Sequence, residues 1–169
     1  MAEIPAAEPE EVSFKSELTL MLDGISDPGN LGTIIRTADW FGVKNIICSE
    51  ESTDAFSPKA VQSAMGSLFR VNVFYEVLPR FLKNILIHHI PVYGTLLEGK
   101  NIYSEKLSAN GIILIGSESH GISEELIPFI TNKITVPSFP VVENKKADSL
   151  NAAMATAIVC SEFRRKMAD

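Results

Sequence analysis

The chain has 169 residues, 46% of them hydrophobic and 21% charged, which suffices for one domain with a real core and excludes a disordered or fibrous protein. No apolar stretch approaches the length of a membrane span and no leader pattern opens the chain, so a cytoplasmic protein without a membrane partner is expected. The net charge of −6 runs against a nucleic-acid binder, because phosphate neutralisation dominates such affinities, but basic residues do cluster locally, as in Lys145-Lys146 and Arg164-Arg165-Lys166.

Residues 1–17, rich in Ala, Pro and Glu, read as a linker or disordered amino-terminal extension, and the folded domain spans 18–169. From there short apolar runs alternate with amphipathic ones. Strands are expected at 18–23, 45–49, 71–75, 91–95, 111–116 and 133–136, and helices at 31–42, 58–67, 79–89, 123–129 and 149–166. That alternation predicts an α/β fold, an open parallel sheet with helices on both faces. Cys48 and Cys160 have no partners at metal-ligand spacing. Both read as buried thiols of a reducing compartment, and no metal site is expected.

Three loops at the carboxyl ends of predicted strands carry polar residues. In "DPGNLGTIIR", Pro28-Gly29 is a turn signal and Asn30 an N-cap candidate. Leu31, Ile34, Ile35, Ala38 and Phe41 make the core stripe of the helix that follows. Arg36 falls off that stripe with Gly32, Thr33 and Trp40, and Gly32 leaves room for another backbone or a ligand. Arg36 is then either a solvated surface residue or an anion contact near a helix start.

In "IILIGSESHGISEE", the spacing Gly116-x-Glu118-x-x-Gly121 has the outline of a dinucleotide fingerprint. Glu118, however, would oppose a pyrophosphate, and the loop is equally readable as a plain strand-to-helix turn. The third loop follows "ITVP". Asp148 or Ser149 can cap the last helix, with Asn151 in its first turn.

Taken together and in order, "DPGNLGTIIRTADWFGV", "ILIGSESHGISEEL" and "ITVP…DSLNAAMATAI" resemble the three motifs of the SpoU (TrmH-type) branch of the SPOUT RNA methyltransferases, over roughly residues 18–166. The resemblance implies a deep carboxyl-terminal trefoil knot and a homodimer with active sites at the subunit interface. It also implies transfer of a methyl group from S-adenosylmethionine to a ribose 2′-hydroxyl of tRNA or rRNA. By position it assigns Thr95, Gly116, Val136 and Leu150 to the methyl donor, and Asn30, Arg36, Glu118, Ser149 and Asn151 to the polar active-site set.

On that reading Arg36 binds phosphate and stabilises developing alkoxide charge, with Asn30 orienting it, Glu118 and Asn151 bracing the loops, and Ser149 contacting substrate or donor. No histidine suggests itself as a base: His88 and His89 look like helix-end residues, and His120 is only a loop candidate. The loop between Val136 and Leu150 is longer than the usual version, and the acidic linker stands where many relatives carry a small RNA-binding domain. A non-catalytic knot domain that binds RNA in ribosome assembly is the alternative. A nucleotide-dependent oxidoreductase is disfavoured by Glu118 and by the lack of a glycine-rich turn after the first strand.

Overall fold

The computed structural model describes Phe14 and residues 16–86, 88–139 and 149–168. Its strands are β1 (Leu18–Leu22), β2 (Asn45–Ser49), β3 (Asn72–Glu76), β4 (Val92–Asn101), β5 (Gly111–Ile115) and β6 (Asn132–Thr135). They form one parallel sheet in the order β3-β2-β1-β5-β4-β6. The helices are α1 (Pro28–Trp40), α2 (Pro58–Ala64), α3 (Leu78–Leu86) and α4 (Ala152–Ala168).

The central strands β1, β2 and β5 are buried along their whole length, which is why they read as continuous apolar runs. Their side chains alternate between two cores. Leu18, Leu20, Leu22, Ile46, Ile113 and Ile115 face Leu31, Ile34 and Ile35 of α1 and Val159 and Phe163 of α4. Met21, Ile47, Ile112 and Leu114 face Leu78, Leu82 and Ile85 of α3, together with Ile122 and Leu126. The sheet is thus covered on both sides, as expected. Sequence direction reverses between β1 and β5, since β1 leads outward to β2 on one side and β5 leads outward past β4 to β6 on the other. In an open α/β sheet, ligands bind outside the carboxyl ends of the strands at such a switch point.

Several elements differ from expectation; α1 runs Pro28–Trp40 and α3 Leu78–Leu86, against the expected 31–42 and 79–89. The helix expected over 123–129 is a run of tight turns ending in a single 3₁₀ turn, Ile127–Phe129. Its backbone bonds, such as Leu126 N–H to Ser123 O and Phe129 N–H to Leu126 O, all span three residues, and Pro128 has no N–H to continue an α-helix. β4 continues to Asn101, beyond the expected end at residue 95, because it pairs with β6 twice: Thr95 and Lys100 both register with Ile134, and Leu96–Gly99 bulge out between them. α2 stops at Ala64 because Met65 turns into the left-handed region. α4 begins at Ala152, three residues later than expected.

Phe14 and Glu17, inside the expected linker, lie against the domain. Phe14 is buried and packs edge-on against Phe81, while the carbonyl of Glu17 accepts from Gly111 N–H. The approach expected at Gly32 is by another backbone: a Cβ there would lie 2.3 Å from Ala60 O and 2.6 Å from Ser63 Cβ, so glycine lets α2 lie directly on α1. At the other end of α1, Arg164 of α4 donates to the carbonyls of Phe41 and Gly42 at 2.6 and 3.0 Å, tying the two helices together. Among the described residues, no helix is long and apolar enough to cross a membrane.

Candidate functional site

The three loops meet at the carboxyl ends of β1, β5 and β6. The start of α1 is fixed first. Asp27, not Asn30, is its N-cap, accepting from Asn30 N–H at 2.8 Å, with Pro28 in the first turn. Lys59 of α2 holds the other oxygen of Asp27 at 2.8 Å. That bond, and then the one from Asn30 N–H, keeps the Asp27 carboxyl below the usual carboxylate range. The preceding loop is anchored to the end of β2 through Gly24 N–H on Ser49 Oγ (3.0 Å) and to the turn after it through Ile25 N–H on Ser52 Oγ (3.2 Å). It is anchored to the loop after β5 through Ser123 N–H on Asp23 Oδ2 (2.7 Å).

Because Asp27 does the capping, the Asn30 carboxamide is free to reach across the sheet. Its Nδ2 donates to Glu118 Oε1 at 2.5 Å, and its Oδ1 accepts from Asn151 Nδ2 at 3.0 Å. Both polar ends are therefore occupied, and Asn30 makes no hydrogen bond to Arg36 among the described residues.

Glu118 and Asn151 also complete the start of α4. Ala152 N–H donates to Glu118 Oε1 (3.2 Å), Ala153 and Met154 N–H to Asn151 Oδ1 (3.0 and 3.2 Å), and Ala155 N–H to Asn151 O (2.9 Å). Three orphan donors of the helix, at Ala152, Ala153 and Met154, are thus satisfied by two site residues, and Ala155 N–H makes the first intrahelical bond. Asn151, rather than Ser149, is the N-cap; Asp148 lies outside the described residues. A hydrogen bond to a charged group contributes roughly 1.5–3 kcal/mol, so Glu118 is a strong fastening between three loops.

Beside this network lies a cavity of about 610 Å³. Thr95, Gly116, Glu118, Val136, Ser149 and Leu150, six of the nine residues singled out in the sequence, line it. The Thr95 hydroxyl donates to Leu114 O at 3.0 Å, which fixes it at the β4–β5 boundary. Gly116 is required by a close approach: a Cβ would sit 2.1 Å from Gly121 C and 2.3 Å from Ile122 N, where the chain doubles back. Asn30 and Asn151 stand behind the wall.

Arg36 is not part of the wall. It is exposed on α1, with no hydrogen bond or ion pair among the described residues. His88 and His89 are exposed beyond α3 and do not line the cavity either.

Sequence reasoning missed several lining residues: Leu96, Leu97 and Glu98 on the bulge of β4, Lys133 on β6, and His120. The double registration of β4 on Ile134 is a pairing property that no local pattern discloses. His120 was detectable, two residues from Glu118 in the motif loop. Cys48 and Cys160 are buried as expected, and burial pushes both thiols up to about 12, so neither is a nucleophile.

The fold and cavity define an α/β domain with a cavity at the carboxyl ends of β4, β5 and β6, of the size that takes a drug-sized organic molecule. The chain belongs to the SpoU rRNA Methylase family, whose profile matches residues 17–161. It is 34% identical over 157 residues to the 23S rRNA (guanosine(2553)-2′-O)-methyltransferase RlmP of Bacillus subtilis, covering 92% of this chain and 61% of that protein.

Among solved structures, it superposes with a TM-score of 0.86 on a Porphyromonas gingivalis protein assigned to the TrmH family of RNA methyltransferases. Identity there is 44%, over 95% of this chain and 63% of that one. The SpoU methyltransferase AviRb of Streptomyces viridochromogenes, solved in complex with the cofactor AdoMet, gives a TM-score of 0.85 at 26% identity, over 99% of this chain and 68% of that one. The chain thus spans about three-fifths of the length of the Bacillus and Porphyromonas proteins.

Proposed function

We propose that this protein methylates a ribose 2′-hydroxyl of tRNA or rRNA, using S-adenosylmethionine. The observation that carries the reading is the Asn30–Glu118–Asn151 network standing directly behind a ligand-sized cavity, in a chain of this family.

The cavity suits the donor. Leu96, Ile115, Val136, Leu150 and Val159 offer apolar surface to a flat heterocycle, while Glu98 and Glu118 offer carboxylates to a cationic ligand. Thr95, Gly116, Val136 and Leu150 would hold it. S-adenosylmethionine supplies there a methyl group that is electrophilic because it is bonded to a sulfonium. What remains for the protein is to position the hydroxyl and stabilise charge as its proton leaves. Arg36, exposed and without a partner among the described residues, suits an RNA phosphate and the developing alkoxide. Glu118 and Asn151 hold the loops in register, and Ser149 stands on the cavity wall for substrate or donor.

The reading extends to assembly and threading. Trp40 (84% exposed) on α1, with Leu150 and Met154 at the start of α4, supports a homodimer packed through these helices. The active site would then lie at the subunit boundary, which agrees with the position of Arg36 outside its own protomer's cavity wall. Sedimentation is expected to show a dimer at micromolar concentration; an active monomer would overturn this. The chain runs from β5 to β6 at the far edge of the sheet and returns to pack α4 on α1, which supports a carboxyl-terminal trefoil knot. An experimental structure whose backbone pulls out straight would refute it. The same reading puts the protein in the cytoplasm.

Methyl transfer from tritiated S-adenosylmethionine to total RNA, followed by mapping of 2′-O-methyl ribose, tests the activity. Label in a ribose 2′-O-methyl group is expected. Absence of transfer by a folded protein that binds S-adenosylhomocysteine would leave only a binding domain.

A further inference from the structure

Arg36 is unpaired among the described residues although the chain carries a net charge of −6. Side chains three and four residues apart on a helix are neighbours, and opposite charges at that spacing attract. For Arg36 of α1 those positions are Gly32, Thr33, Asp39 and Trp40. Asp39 is therefore the acid along this helix that Arg36 would pair with, and the pair does not form.

Asp39 is turned to the other side. Its carboxylate accepts from Ser67 Oγ at 2.7 Å, from Arg70 Nη2 at 2.6 Å, and from Arg70 Nε at 2.9 Å on one oxygen and 3.1 Å on the other. Ser67–Phe69 is a single 3₁₀ turn after α2, and Arg70 closes it, its backbone N–H donating to Ser67 O at 2.9 Å. The close seat of α2 on Gly32 brings this turn beside the last turn of α1. The Arg70 bond, and then the Ser67 bond, keeps the Asp39 carboxyl below the usual carboxylate range, so it stays ionised. A planar guanidinium with two donors on one carboxylate is the strong form of such a contact. Arg70 does not line the cavity.

Resting on the reading above, in which Arg36 meets an RNA phosphate, we infer that Arg70 is a positioning residue: by holding Asp39 it keeps the Arg36 guanidinium unpaired and available to the RNA. Without Arg70, Asp39 carries an uncompensated charge three residues from Arg36. The two then pair, and the carboxylate competes with phosphate for the same donors.

Single-turnover methyl transfer to total RNA, at RNA below saturation and low salt, tests this on the full chain. Wild type is compared with Arg70→Ala, Asp39→Asn and the double variant, each first checked for equal binding of S-adenosylhomocysteine. Arg70→Ala is expected to be about three- to fivefold slower, the scale of one exposed ion pair. Its defect should shrink as salt is raised, because an exposed pair is screened. Asp39→Asn and the double variant should both stay within about twofold of wild type, as surface changes usually do. Rescue by the second substitution is the distinguishing result, since the double variant lacks both halves of the tie between α1 and the 3₁₀ turn. Arg70→Ala with Glu125→Gln restores the net charge at an exposed residue next to Leu126, on the α3 side of the sheet, and should not rescue.

A double variant as slow as Arg70→Ala overturns the inference, because Arg70 then acts on the RNA itself or only fastens the helix. A wild-type rate for Arg70→Ala, or equal rescue by Glu125→Gln, overturns it too. If Arg36→Ala transfers methyl as fast as wild type, the role given to Arg36 fails and the inference falls with it; the other failures leave that role standing.

Discussion

Arg36→Ala is expected to lower methyl transfer by roughly 10²–10³-fold, the usual consequence of removing one donor aimed at developing negative charge. Three observations make the expectation specific to the rate. Arg36 is exposed and off the apolar stripe of Leu31, Ile34, Ile35 and Ala38, so truncation opens no core cavity. It has no hydrogen bond or ion pair among the described residues, so none of them loses a partner. It does not line the cavity, so affinity for S-adenosylhomocysteine should stay within about threefold, well under the 1.4 kcal/mol of one tenfold step. Arg36→Lys should restore little, because an ammonium cannot reproduce a planar two-point grip on phosphate. Single-turnover kinetics beside calorimetry separates the two effects. Activity of Arg36→Ala within threefold of wild type would make this residue an ordinary solvated arginine.

Much of the architecture was legible because it follows from local periodicity. Runs such as "LTLML" and "GIILI" are apolar at every position, which a sheet covered on both faces requires, and α1 shows its core stripe plainly. The site was legible only as three motifs in order. Asn30 and Glu118 are 88 residues apart, and Asn30 and Asn151 are 121 apart, so no window of sequence contains their contacts.

The errors also have physical causes. "DPGN" offers two capping side chains, and a choice between Asp27 and Asn30 depends on where Pro28 sits in the first turn. In "ADSLN" the same ambiguity hid Asn151, whose carboxamide both caps α4 and meets Asn30. In each case a residue taken for a local helix cap, or for a simple helix-start residue, proved to make a long-range contact as well. The bulge of β4 depends on pairing with β6, a strand that follows about thirty residues later.

Gly116 carries the second large expectation, and its argument is steric. A methyl group at this position would lie 2.1 Å from Gly121 C, 2.3 Å from Gly121 O and 2.3 Å from Ile122 N. All three are backbone atoms, so no side chain can swing away, and the Ser117–Gly121 turn must open. Opening breaks two backbone hydrogen bonds and draws Glu118 from Asn30 and from the start of α4.

At about 1–3 kcal/mol for each polar group left without its partner, the change amounts to several kcal/mol shared between stability and binding. Gly116→Ala is therefore expected to weaken S-adenosylhomocysteine binding by roughly a hundredfold, with a lower melting temperature. Gly66→Asn is the control. Gly66 has a φ of +84° with open space around its Cβ, does not line the cavity, and asparagine tolerates that region. It should cost little in binding. Calorimetric titration of both variants decides the matter: if Gly116→Ala binds as tightly as Gly66→Asn, the closed turn is not what shapes the donor site, and the cavity wall has to be sought in the bulge of β4 instead.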